Sequence, residues 1–131
     1  MNLNACMAEK SIVNEKALAF ALEIIELYQF LKEKREFVLS KQLLRSATAI
    51  GANISEALAG VSRRDFMYKM SLASKESRES FYWLTLLQRS QMVRYNFSDE
   101  LAMCEELIRM LTSIVKTTST KTKISKLKTK D

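Results

Sequence analysis

At 131 residues the chain has room for one domain, and folding at this size removes roughly 65% of the unfolded surface from water, enough for a self-standing core. With 47% hydrophobic residues, two glycines and no proline, it is poor in the residues that end helices and shape tight turns, which excludes a strand-rich fold and favours long helices. The net charge of +6 is unevenly placed: residues 116–131 carry Lys116, Lys121, Lys123, Lys126, Lys128 and Lys130 against Asp131, so residues 1–115 are left with only +1.

A lysine-rich end of this kind is either a contact for nucleic acid or a membrane surface, or a solvated tail that aids solubility. Cys6 and Cys104 have neither disulfide-framework nor metal-ligand spacing. The opening MNLNACMAEK lacks a basic region followed by an apolar run, and the apolar stretch 17–28 is interrupted by Glu23 and Glu26. The expectation is a cytoplasmic protein with no membrane contact, divided into an N-terminal lead (1–10), a helical domain (11–117) and a lysine-rich tail (118–131).

The first helix is expected from near Ser11 or Asn14 to about Lys34, where Ala17, Phe20, Ile24, Leu27 and Leu31 recur at spacings of three and four. Leu18, Leu22 and Ile25 form a second apolar row beside that seam. A second helix is expected to start between Phe37 and Ser40, with Ser40 as its N-cap, and to reach about Leu58 through Leu43, Ala47, Ile50, Ile54 and Ala57. Its stretch 46–52 is almost all small residues, and Gly51 in a helix interior costs about 1 kcal/mol against Ala, which points to close packing of another helix there.

Gly60 ends that helix, and Ser62 with Asp65 makes a shortened capping box for a third and longest one, carrying Phe66, Met70, Ala73, Ser77, Ser80, Leu84 and Leu87. Asn96 and Ser98 open a fourth. Its Leu101, Cys104, Ile108, Leu111 and Val115 form one seam, and Met103, Leu107, Met110 and Ile114 form another. Short connections favour antiparallel neighbours, so the fold class is all-α, an antiparallel up-down-up-down four-helix bundle. The extra apolar rows on the first and fourth helices exceed what four helices need, and point to assembly with further copies of the chain.

No histidine is present, which removes the commonest general base and metal ligand, and two glycines cannot build a phosphate-cradling loop. No cofactor is expected. Glu23 with Glu26, and Glu76 with Glu79, have the spacing to hold magnesium in an all-helical nucleotide hydrolase, but they read better as solvated, salt-bridging faces. The basic residues point elsewhere: Lys41 and Arg45 share one helical face, and Arg63, Arg64, Lys69, Lys75 and Arg78 line the start of the third helix. Together with Lys121, Lys123, Lys126, Lys128 and Lys130 they are the candidate contacts to RNA or DNA, made through phosphates.

The stretch EFVLSKQLLRSATAIGANISEA, residues 36–57, resembles the signature of the four-helix bundle proteins related to the 23S rRNA intervening sequence proteins, and the likeness extends over residues 15–117. Many relatives read Ser-Ile-Pro-x-Asn-Ile-Ala-Glu-Gly in the second helix, where this chain has Ala49, Ile50, Gly51, Ala52, Asn53, Ile54, Ser55, Glu56 and Ala57. The resemblance implies an antiparallel bundle forming a barrel-like homopentamer, with its polar signature on Arg45, Asn53 and Glu56. Arg45 and Glu56 lie about 20° apart around the helix, so they either join one polar face or make ion pairs between helices. More distantly it implies kinship with ring-forming accessory proteins of diversity-generating retroelements, which bind nucleic acid and a reverse transcriptase. The expected function is a non-catalytic, nucleic-acid-binding homo-oligomeric ring, and its rival a scaffold that docks a partner protein.

Overall fold

The computed structural model describes residues 3–129, with side chains placed at 8–120, 123, 124 and 127. The described residues form four helices: α1 (Leu3–Glu33), α2 (Leu39–Leu58), α3 (Arg63–Ser90) and α4 (Ser98–Thr129). Each packs on its neighbour in chain order, and α1 also meets α4, which closes a four-helix bundle.

The expected seams of α1 and α2 are the core. Ala17, Phe20, Ile24, Leu27 and Leu31 face Leu43, Ala47, Ile50, Ile54 and Ala57, all buried, and Met70, Ala73, Leu84 and Leu87 join them from α3. Each large aliphatic or aromatic side chain so buried contributes about 1.5–3 kcal/mol relative to exposure. On α4 the buried set is Cys104, Leu107, Leu111 and Ile114, drawn from both expected seams, with Met103, Ile108 and Met110 half-buried beside it. The apparent surplus on α4 is therefore largely used inside the bundle, because α4 is held by α1 and α3 at once.

Two boundaries differ from expectation. Helix α1 begins at Leu3 rather than near Ser11, and α4, at 32 residues, outruns the 28 of α3 because it continues through the lysine-rich stretch. Nothing in that stretch stops a helix: it has no Gly or Pro, and lysines near a C-terminus complement the helix dipole. Its hydroxyls bond back to the helix, Thr118 Oγ1 to the Ile114 carbonyl and Thr120 Oγ1 to the Lys116 carbonyl, both within 2.9 Å.

The turn from α1 to α2 is built on Arg35 and Glu36. Arg35 is left-handed (φ 65°), and the Glu36 N–H reaches back to the Leu31 carbonyl at 2.9 Å while that of Arg35 bonds Lys32, which closes α1 with a Schellman motif. The Glu36 carboxylate, only 6% exposed, then accepts the N–H groups of Val38, Leu39 and Ser40 at 3.2, 2.9 and 2.7 Å. Ser40 is thus not the cap of α2. It is the second residue, and its hydroxyl donates to the Glu36 carbonyl at 2.8 Å. A carboxylate reaching in from upstream satisfies three orphan N–H groups where a serine side chain satisfies one. At the start of α3, Ser62 is the N-cap as expected, its hydroxyl accepting the Asp65 N–H at 3.0 Å.

The small residues of α2 do bring neighbours close. The buried hydroxyls of Ser46 and Ser80 stand 2.8 Å apart across α2 and α3, and a Cβ at Gly51 would meet the Ala17 Cβ at 3.8 Å, an ordinary contact. Replacing Glu36 by Ala is expected to lower unfolding free energy by about 2–3 kcal/mol, since buried donors lose a charged acceptor. Gly51→Ala is expected to raise it by about 0.5–1 kcal/mol through helix propensity. Urea denaturation of the two variants beside the parent measures both.

Candidate nucleic-acid interface

Three polar surfaces flank the core. On the α2–α3 side, Arg45 reaches across to Glu79 and to Glu76, the latter at 3.5 Å, and Lys69 pairs with Glu56 at 2.6 Å. The signature residues Arg45 and Glu56 are thus engaged in ion pairs between helices of one chain. Asn53, the third of them, donates its side-chain amide to the Ala49 carbonyl of its own helix at 2.8 Å. Lys69 is held more firmly protonated by its hydrogen bond to Glu56.

On the α3–α4 side lies an open groove of about 470 Å³ lined by Ser74, Arg78, Thr112, Val115, Lys116, Ser119, Thr120 and Lys123. Ser74 and Arg78 come from one face of α3. The α4 residues recur at spacings of three and four, so the unbroken helix sets its lysines and hydroxyls along one stripe. The Arg78 guanidinium donates to Thr112 Oγ1 at 2.9 Å, which ties the two walls together near the surface. Three cationic side chains with the hydroxyls of Ser74, Thr112 and Ser119 form a donor set of the kind that phosphate oxygens accept from, while the Thr120 hydroxyl gives its proton to the Lys116 carbonyl.

Among the expected contacts, Arg78 and Lys123 meet in this groove, whereas Arg45 and Lys69 are turned to carboxylates. Lys41, Arg63, Arg64 and Lys75 are exposed and make no ion pair among the described residues. The side chains of Lys121, Lys126, Lys128 and Lys130 lie outside the described residues. Lys116, counted in the sequence reading with the lysine-rich stretch, joins Arg78 and Lys123 in the groove, whereas the hydroxyls of Ser74, Thr112, Ser119 and Thr120 escaped that reading; continuing the helical period past residue 117 finds Ser119 and Thr120.

The third surface joins α1 and α4. Lys16 pairs with Glu106 at 2.8 Å, and nearer the start of α4 Glu100 is 1% exposed, with Tyr95 donating its hydroxyl to one carboxylate oxygen. The other oxygen is buried, and the Glu23 carboxyl is within hydrogen-bonding reach of Glu100. Glu23 of α1 lies beside it: burial, then the charges of Glu100 and Glu26, push the Glu23 carboxyl above its ordinary value. Burial and the bond to Glu100 likewise push the Tyr95 phenol upward. Next to this acid cluster the α1 row Leu18, Leu22 and Ile25 stands exposed, as its sequence position suggested.

The four glutamates of the hydrolase reading are therefore divided, Glu23 beside Glu100 of α4 with Glu26 exposed on α1, and Glu76 and Glu79 toward Arg45. Among the described residues no group of three or more acidic or cysteine side chains is placed to hold a metal ion, and no helix is long and apolar enough to cross a membrane.

A closed four-helix bundle with a small-residue second helix and ion-paired signature residues defines an all-α class of protein. Within that class, the family model of the 23S rRNA-intervening sequence protein matches residues 9–113, and the chain belongs to this family. It is also similar to a crystal structure from Bacteroides thetaiotaomicron, described as a protein with unknown function from the S23 ribosomal protein family. The two share 44% identity and a TM-score of 0.78, over 82% of this chain and 98% of that one. No curated protein matches the chain. Lys116, Ser119, Thr120 and Lys123 lie beyond the span that the family model matches.

A raised carboxyl binds more protons in the folded state than in the unfolded one, so its contribution to stability is present at low pH and is lost as pH rises from the ordinary carboxylate value through the raised one. Thermal melts of the parent between pH 4 and 8 are expected to show this loss, and Glu23→Gln is expected to flatten it.

Proposed function

We propose that the protein is a non-catalytic nucleic-acid-binding accessory protein that works as a homo-oligomeric ring of antiparallel, up-down-up-down subunits. The observation that carries this reading is the α3–α4 groove, where Arg78, Lys116 and Lys123 converge with four hydroxyls. Contacts of this kind hold phosphates and leave base edges unread, so the grip is sequence-tolerant and salt-dependent. Arg63, Arg64 and Lys75, on the same helix as Arg78, extend the basic surface. The tail lysines supply an electrostatic arm. The exposed α1 row Leu18, Leu22 and Ile25 supports the ring, since an apolar strip of that length on a bundle is ordinarily covered by another subunit. The family name, with its reference to segments within 23S rRNA, directs the choice of RNA as the first ligand to test.

The experiment is binding of RNA and DNA duplexes and single strands to the full chain across a salt series. Replacing Arg78, Lys116 and Lys123 together by Ala is expected to weaken binding and to reduce the slope of log K against log salt by about 2–3, because each phosphate that a cation neutralises adds about 0.7–0.9 to that slope. Absence of binding at 0.15 M salt would replace this reading with that of a protein-docking scaffold.

A further inference from the structure

Helix α3 turns one narrow row of side chains to solvent. Between Asp65 and Leu87 its exposed residues are Tyr68, Ser71, Lys75, Arg78 and Tyr82, at alternating spacings of three and four. That spacing keeps them on one stripe, and at about 1.5 Å per residue the two tyrosines stand roughly 21 Å apart along the axis. The row contains no carboxylate. Glu76 and Glu79 of the same helix are turned to Arg45, and Glu56 of α2 is paired with Lys69. The Ser71 hydroxyl donates to the Met67 carbonyl at 2.8 Å. What the row offers a ligand is therefore two cations between two aromatic rings.

Both rings are braced by neighbours yet open to a ligand, Tyr68 at 59% and Tyr82 at 55% exposure. Trp83 packs on Tyr82 with ring centroids 5.1 Å apart at 68°, and the Lys69 ammonium lies 5.9 Å from the centre of the Tyr68 ring. Burial under another protein surface would strip water from Lys75 and Arg78, which make no ion pair among the described residues, whereas a polyanion brings its own negative charge. The rings then discriminate between polyanions. In a duplex the base faces lie against one another, out of reach, while in an unpaired strand they are free to stack on aromatic side chains. Arg78 also lines the α3–α4 groove, so the row and the groove form one continuous surface. We infer that this row takes a single-stranded nucleic acid, with bases stacked on Tyr68 and Tyr82 and phosphates held by Lys75 and Arg78.

This inference rests on the nucleic-acid part of the proposed function and narrows its ligand to unpaired strands, and the test separates the two. Binding is measured on the full-length parent, Tyr68→Leu and Tyr82→Leu, with circular dichroism confirming the helical fold. The ligands are a mixed-sequence RNA strand of roughly 12 nucleotides, the same RNA as a duplex, and an abasic strand of equal length, each across a salt series. Each Leu variant is expected to bind the single strand at least about five-fold more weakly than the parent, with the salt slope unchanged, because a stacked base is lost and no phosphate contact is. The duplex and the abasic strand are expected to bind parent and variants alike. Both Leu variants gripping the single strand as the parent does would overturn this inference alone and leave the groove reading in place. Dissociation of the parent's oligomer by both Leu variants, read by sedimentation, would also overturn it and would assign the row to a contact between subunits. Absence of binding to any of the three ligands at 0.15 M salt would overturn it together with the nucleic-acid reading.

Discussion

The approach of α2 to α3 governs the rest of the bundle. Ser46 and Ser80 meet hydroxyl to hydroxyl at 2.8 Å, and each has a carbonyl of its own helix within reach, Leu43 at 3.2 Å and Glu76 at 3.0 Å, so either can be the donor that starts the chain. The pair is satisfied internally and needs no water, which lets two helices lie closer than leucines would allow. Ala47, Ala57 and Ala73 fill the same contact with small side chains. Once this distance and register are fixed, Arg45 falls opposite Glu76 and Glu79, and Glu56 falls opposite Lys69.

Helix α3 is consequently divided between two neighbours. Its glutamates are consumed by the α2 side, and Arg78, two residues from Glu76, turns to Thr112 of α4. The charge of the groove comes mostly from the lysine-rich segment 116–131, which supplies Lys116 and Lys123, and the nearly neutral remainder adds Arg78 while its carboxylates are tied up on the other flank. The exposed ion pairs contribute little to stability individually. Their larger effect is to determine which charges remain for a ligand.

Much of this architecture is legible in the residue pattern. Large apolar side chains at spacings of three and four name the faces of α1 and α2 directly, and Ser62 announces α3 because a serine before Asp65 has one favoured use. The errors have physical causes. Glu36 reads as a loop charge in sequence, since its role as a cap depends on the left-handed turn at Arg35 that folds it over α2. The width of the apolar face on α4 reads as surplus until the helix is seen to touch both α1 and α3. The extent of α4 is hidden by polarity: threonines and lysines suggest a loose tail, yet with hydroxyls bonded to the preceding turn the same residues continue a helix and become one wall of the groove. The Glu23–Glu100 contact joins residues 77 positions apart and leaves no local trace.

The absence of histidine has a consequence beyond catalysis. No side-chain type in this sequence ordinarily changes charge between pH 6 and 8, and the Cys104 thiol, buried against the Ser77 carbonyl, is pushed up to about 12. The positive potential of the groove is therefore constant across the acidity range of a living cell. What does vary there is the counterion atmosphere, and at physiological strength the Debye length of about 8 Å is comparable with the width of a helix. Osmotic upshift, with the salt accumulation that accompanies it, would then shorten the reach of the groove's potential, and dilution would extend it.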